Sequence, residues 1–252
     1  MSIKKLYSSK ILVLIVLIIS ILLIINKYIL EKYPRLYQDT FNLMELNRSA
    51  ESFEMASFYL KDGYYQDINK SIDLLYKLEK ENKGRAYSGL CQIYYKHYND
   101  VKKNYNGMDY CYRAMSENYL KSFIITSYIY KDGIGVLQDA DKAFELMEKA
   151  AKNGNADAQY DLAEMYQESY SSYSNRLPKK YRNAEIINDN LFRYGQPKDI
   201  MSYVWFNISA ADGYIYSKVQ RDTMSRYMPK PNLKLAQKIS KDFYRLYAKS
   251  PN

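Results

Sequence analysis

The chain has 252 residues, 47% apolar and 26% charged, which excludes a disordered tail and allows one or two domains with a buried core. Thirty-seven Lys and Arg stand against 28 Asp and Glu, a net charge of +9 that is spread along the chain and marks no nucleic-acid stripe. Two Cys and one His are too few to fill the tetrahedron of a structural zinc site, and no cofactor is implied.

Residues 1–10 carry Lys4, Lys5 and Lys10 and no acid, a short basic tail. Residues 11–25 then read ILVLIVLIISILLII, with Ser20 the sole interruption. That run covers about 22 Å of helix, and continuing it through Leu30 reaches about 30 Å, the hydrocarbon thickness of a bilayer. Lys27 can snorkel to the headgroups, and Tyr28 and Tyr33 suit the interfacial belt. A transmembrane signal-anchor is therefore predicted over 11–30, with a juxtamembrane connector over 31–49. Cleavage is disfavoured, because residues 21–38 hold no Ala, Gly, Ser, Thr or Cys. The basic head predicts a cytoplasmic N-terminus, hence an inner-membrane protein whose remaining chain lies in a bacterial periplasm.

A repeat comes next. In residues 121–155, Ser122, Thr126, Ser127 and Tyr130 mark one face of a first helix, Gly133 and Gly135 break it, and Ala143, Leu146, Met147, Ala150 and Ala151 mark a second helix that Gly154 ends. Ala158, Leu162, Ala163 and Tyr166 repeat the first face 36 residues on. Ala86, Leu90, Cys91 and Tyr94 stand as far before it, and Met55, Ala56, Tyr59 and Gly63 precede those. Tyr59, Tyr94, Tyr130 and Tyr166 are thus in register, and the small residues Ala56, Cys91, Ser127 and Ala163 allow close helix approach. Each helix pair is too small to bury its own face, so neighbours must stack. The second unit has His97 where the third has Gly133, so its connection over 96–106 takes another shape. Asn118 replaces the terminal glycine there.

The Tyr130-x-x-Gly133-x-Gly135-Val136 turn, the Asp139-x-x-Lys142-Ala143 run and Lys149-Ala150-Ala151-x-x-Gly154-x-x-x-Ala158 resemble the SEL-one-like repeat family, a relative of the tetratricopeptide repeats. Tyr203-Val-Trp205-Phe206, running on to Ala210, Ala211 and Gly213, is similar to the last-repeat helix of bacterial members, and Arg221, Asp222, Met228, Ala236 and Gln237 resemble the capping pair beyond it. The resemblance implies an all-α, right-handed superhelical solenoid of about four to five helix-turn-helix units. Its repeats would run over 50–213 and its capping helices and tail over 214–252. It also implies a protein-binding adaptor or scaffold.

After Tyr166 the period breaks, and residues 169–195 read either as an insertion within the fourth unit or as a degenerate extra unit. A short helix is predicted over 183–193, with Ile186, Ile187, Leu191 and Phe192 on its buried side. Loops on repeat arrays commonly carry specificity, and this one combines Tyr170 and Tyr173 with Arg176, Lys179, Lys180 and Arg182, the residue types of interface anchors. Its other reading is a solvated surface loop.

No arrangement of acids, bases and nucleophiles rises above background, so an enzyme is not predicted, nor is a small-molecule substrate or a nucleic acid. His97 reads as a turn residue, and Glu145 and Glu148 as solvated partners of Lys at helical spacing. Cys91 and Cys111 fall on facing helices of the second unit, within disulfide reach in an oxidising compartment or as two small buried hydrophobes in a reducing one. The expected partner is a protein. An alternative, by analogy with immunity proteins that resemble the family, is a secreted toxin. An envelope-modifying enzyme would need a carboxylate or Ser site that is not found.

Overall fold

Asn and Asp side chains start the helices. Asp67, Asn82, Asp139 and Asn155 each accept a hydrogen bond from the backbone N–H three residues ahead, at 2.8–2.9 Å, satisfying a donor that the first turn leaves open. In the computed structural model, residues 53–61, 66–101, 106–169, 171–173, 175–185 and 194–247 are described. Among them the chain forms α1 (Phe53–Phe58), α2 (Ile68–Leu78), α3 (Lys83–Lys96), α4 (Tyr98–Val101), α5 (Gly107–Ser116), α6 (Leu120–Asp132), α7 (Ala140–Lys152), α8 (Ala156–Gln167), α9 (Pro197–Ala211), α10 (Ile215–Tyr227) and α11 (Lys230–Tyr247). No strand occurs among the described residues.

The helices pack as pairs, α1 on α2, α3 on α5, α6 on α7 and α8 on α9. Each second helix also touches the first helix of the next pair, and α3 touches α6 directly. After His97, the short α4 takes the place of a glycine turn. Helix α9 is the most deeply enclosed, because α8, α10 and α11 all lie on it. Its Trp205 is fully buried, with ring centroids 5.6 Å from Phe243 and 6.1 Å from Tyr247 on α11. Three of the second helices, α5, α7 and α9, are followed by a left-handed residue, a conformation that costs glycine little, whereas α2 passes into Glu79 at φ -55°. Gly154 has φ +77° and Gly213 has φ +94°, whereas Asn118 holds the same place at φ +55°.

The core divides into three clusters along the array. One joins α1, α2, α3 and α5 through Phe53, Leu75, Leu78, Leu90 and Ile93. The largest, around Met147, Leu162, Trp205 and Phe206, joins α7 to α11. Between them sits a small cluster of Cys91, Tyr94, Cys111, Ile125 and Ile129, in which Cys91 and Cys111 are bonded with their Cα atoms 4.8 Å apart.

Tyrosine hydroxyls tie unit to unit across the surface. Tyr76 meets Tyr110 at 2.8 Å, Tyr112 meets Tyr130 at 2.7 Å, and Tyr95 donates to Asp132 at 2.8 Å. Tyr128 donates to Asp161, joining α6 to α8, while its ring stacks on that of Tyr95. Burial pushes the Tyr95 hydroxyl up to about 12, with its bond to Asp132 adding to the rise. Burial also lifts the Asp161 carboxyl to about 6; the Tyr128 hydrogen bond opposes this, and the Glu164 and Asp157 charges reinforce it.

Among the described residues no helix is long and apolar enough to cross a membrane. The most apolar, α9, has 15 residues and reaches only about 22 Å, and α11, with 18, carries a Lys- and Arg-rich face. The span predicted over 11–30, with its tail and connector, lies outside the described residues, as do Gly63 and Tyr170. The expected inner-membrane location with a periplasmic repeat domain is corrected on this finding, since no described element supports it.

The disulfide and the buried carboxyl each set a measurable expectation. The Cys91–Cys111 bond closes a loop with a separation of 20 residues, so breaking it costs about 3 kcal/mol in the chain-entropy model. Reduction, or the Cys91→Ala/Cys111→Ala pair, will lower the melting temperature of the oxidised protein; identical melting would remove the bond from the stability of the fold. For Asp161, the folded value lies above the ordinary 3.8, so its contribution to stability is full below that value and is lost as pH rises through about 6. Wild type will lose about 1–3 kcal/mol relative to Asp161→Asn between pH 3 and pH 8, read from paired denaturant titrations. Parallel pH curves would contradict the burial argument.

Candidate functional site

Helix α8 ends at Gln167, and Ser169 turns the chain out at φ +53°. Beyond that turn the chain is tied down at several points and is not a free loop. Ser171 Oγ, Ser172 N and Ser172 Oγ all donate to the Asp141 carboxylate of α7, at 2.7, 2.9 and 2.9 Å. These hydrogen bonds hold Asp141 below the usual carboxylate range, helped by the Arg176 charge. Farther on, Leu177 and Tyr181 bury their side chains in the largest core cluster, at 6% exposure each. Pro178 starts a single 3-10 turn, Lys179–Tyr181, that points two partners at α11. Lys180 Nζ meets Asp242 Oδ2 at 2.6 Å, and the Tyr181 hydroxyl donates to the same oxygen. Those bonds keep the Asp242 carboxyl below its ordinary range.

Held at these points, the segment arches over a pocket of about 500 Å³ between α7, α9 and α11. Phe144, Tyr166, Met201, Phe243 and Tyr247 give it an apolar and aromatic lining. Burial keeps the Tyr166 hydroxyl protonated far above its ordinary range, and the Glu148 charge adds to the effect. Tyr173 leans on the Phe144 ring with centroids 6.2 Å apart, and the Arg176 guanidinium lies 5.5 Å over the Tyr173 ring. Arg182 closes the same side, its Nε reaching Leu177 O at 3.4 Å. Glu145 and Glu148 also line it, the latter paired to Lys152 at 2.9 Å. The pocket thus offers an aromatic interior lined by both guanidinium and carboxylate groups. That set can grip a side chain or a short loop; it contains no nucleophile beside a base.

Of the six residues expected to bind a partner, the structure brings Tyr173, Arg176 and Arg182 to one pocket. Lys180 is engaged by Asp242, Lys179 is exposed outside the lining, and Tyr170 lies outside the described residues. Residues 183–185 form turn and coil, and the rest of the helix expected over 183–193 is outside the described residues. Asp141, Phe144, Asp242, Phe243 and Tyr247 escaped the sequence reading. Asp141 sits inside a run that reads as ordinary repeat, and the others belong to helices whose contact with the segment has no local signature.

A family model, Sel1 repeat, matches residues 126–155 and 156–174. The chain is similar to the crystal structure of c5321, a protective antigen present in uropathogenic Escherichia coli strains that displays an SLR fold, with 17% identity over 88% of this chain and a TM-score of 0.55. The chain spans 44% of the length of that structure, and the likeness concerns the fold alone. A Sel1 repeat protein from Oxalobacter formigenes matches with 17% identity, covering 62% of this chain and 99% of its own, at a TM-score of 0.44. No curated protein sequence matches. The repeat match falls on α6 to α8, and the structural likeness shows that the array has the SLR fold.

Asp141 carries three hydrogen bonds from the segment, so Asp141→Ala will release residues 171–182 from α7. Tryptic cleavage after Arg176, Lys179 and Arg182 will then accelerate several-fold while the helical circular dichroism stays unchanged. Wild-type cleavage rates in the variant would show that the anchor lies elsewhere.

Proposed function

We propose that the chain is a protein-interaction scaffold and that the pocket under residues 171–182 seats a projecting side chain or loop of its protein partner. Sel1 repeat proteins generally mediate protein–protein interaction, and the repeats at 126–174 include the α7 and α8 walls of this pocket. One observation carries the reading: Arg176 and Tyr173 are stacked at the mouth of an aromatic hollow by a segment anchored to α7, the core and α11. A segment held that firmly has already lost its conformational freedom, so a partner that docks on it does not bear that cost again. Tyr and Arg over an aromatic hollow are also the side chains that concentrate binding energy at interfaces. The pocket acts by binding, with no chemical step assigned to it.

In cells of the source organism, crosslinking followed by purification will recover a protein with the wild-type chain. The Tyr173→Ala/Arg176→Ala pair will recover about tenfold less of it, the loss expected when interface anchors are truncated. Lys179→Ala, outside the lining, will recover as much as wild type. Equal recovery by all three chains would move recognition away from this pocket.

A further inference from the structure

A second recognition surface lies at the other end of the array. On α3, Arg85, Ser88, Gln92 and Lys96 recur at spacings of three and four and form one stripe. Facing that stripe are Ser57, Leu60 and Lys61 from the end of α1, with Tyr119 and Lys121 from the start of α6. Two contiguous hollows, of about 150 and about 680 Å³, share Ser57, Leu60 and Gln92, so the stripe borders one continuous groove.

The groove is cationic. Lys61, Arg85, Lys96 and Lys121 border it, and among the described residues the ion pair nearest to neutralising it is Arg85 with Glu54, at 2.8 Å on its rim. Asp100 stands 3.9 Å from Nδ1 of His97, which lines the outer hollow. Lys61, Lys96 and Lys121 form no ion pair with a described residue. Lys121 remains at the surface, yet desolvation and then the Lys96 and Arg85 charges hold its ammonium below the usual lysine value. Lysines gathered with no ion pair to a described residue repel one another, and an anion between them relieves that repulsion.

The floor distinguishes which anion fits. Ser88 is 2% exposed, lines the inner hollow, and its Oγ has no hydrogen-bond partner. With Gln92 and Ser57 beside it, the groove presents groups that both donate and accept, as an extended peptide backbone requires. The cations are few and bunched, not set in a row to follow a phosphate backbone. We infer that the groove between α1, α3 and the start of α6 binds an acidic peptide segment of a protein partner, its carboxylates against Lys96 and Lys121 and its backbone over Ser88 and Gln92. This site is separate from the pocket under residues 171–182, and the two stand or fall independently.

The test uses a fluorescein-labelled peptide of alternating Glu and Ser, its Gln–Ser counterpart, and a single-stranded oligothymidylate, each titrated by fluorescence anisotropy against the full chain. The Glu–Ser peptide will bind, the Gln–Ser peptide will not, and added salt will weaken the complex. Lys96→Gln/Lys121→Gln will weaken it about tenfold, the sum of two partly solvated charge contacts. Lys218→Gln/Lys234→Gln, with the same change in net charge on α10 and α11, will leave it unchanged, as will Tyr173→Ala. Ser88→Ala will weaken binding of the Glu–Ser peptide without altering the slope of its salt dependence. All variants are compared at matched melting temperature, and Lys121→Gln alone replaces the pair should the pair unfold. Equal loss from the distal pair would reduce the effect to net charge and overturn the assignment. So would tighter binding of oligothymidylate, or binding of both peptides alike.

Discussion

The fold depends on how closely two helices of a pair can approach. At the crossing of each first helix stands a side chain no larger than cysteine: Ala56, Cys91, Ser127 and Ala163, each at 1% exposure or less. The second helices answer with Ala114, Ala143, Ala150 and Ala151, all fully enclosed. At such separations a hydroxyl reaches the opposing backbone directly, as Ser127 Oγ does to Ala143 O at 2.6 Å and Ser71 Oγ to Ala56 O at 2.8 Å. A larger side chain at any of these positions would open the pair, and the bulky residues beside them would lose contact together. Tyr94 shows the same limit at a glycine: a Cβ on Gly107 would lie 2.0 Å from its ring.

Close pairs leave narrow seams between units, and the tyrosines fill them. A tyrosine ring covers apolar surface along a seam while its hydroxyl reaches across it, so one side chain serves both needs. Tyr112 to Tyr130, Tyr95 to Asp132 and Tyr128 to Asp161 each bridge successive units in this way. The chain's 30 tyrosines are thereby explained in part as structural joints, not as a binding surface. Placing Asp161 at such a joint has an electrostatic consequence, because Asp157 and Glu164 crowd it and burial raises its carboxyl. The Tyr128 hydrogen bond favours the ionised form, so burial and the neighbouring carboxylates outweigh it at this joint.

The repeat was legible because its constraints are local. Period, helix face, small crossing residues and terminal glycine all fall within about 36 residues, and a tight turn or crossing admits few residue types. The path of residues 171–182 was not legible, because it depends on contacts made far away in sequence. Asp141 and Asp242 look like any solvated helix carboxylate until the fold brings Ser171, Ser172, Lys180 and Tyr181 to them. Composition identified Tyr173, Arg176 and Arg182 as interface material but could not separate them from Lys180, which the fold spends on an internal strut. The inner-membrane placement rested on an apolar run and flanking charge alone, and no described helix supports it.

The first helices also divide charge along the array. Arg85, Lys96 and Lys121 gather where α1, α3 and α6 meet, while Asp157, Asp161 and Glu164 gather on α8 beside Tyr160 and Tyr214. Contact between α3 and α6, and the Tyr128–Asp161 bond from α6 to α8, fix the order of these two patches. Opposite charges spaced along one scaffold favour a partner of matching polarity and penalise the reversed orientation by placing like charges together. The pocket under the 171–182 segment supplies what charge alone lacks, an aromatic hollow whose fit depends on shape. In the function proposed above, long-range polarity orients an approaching protein and the hollow discriminates among those that arrive, two tasks that fall on different parts of the array.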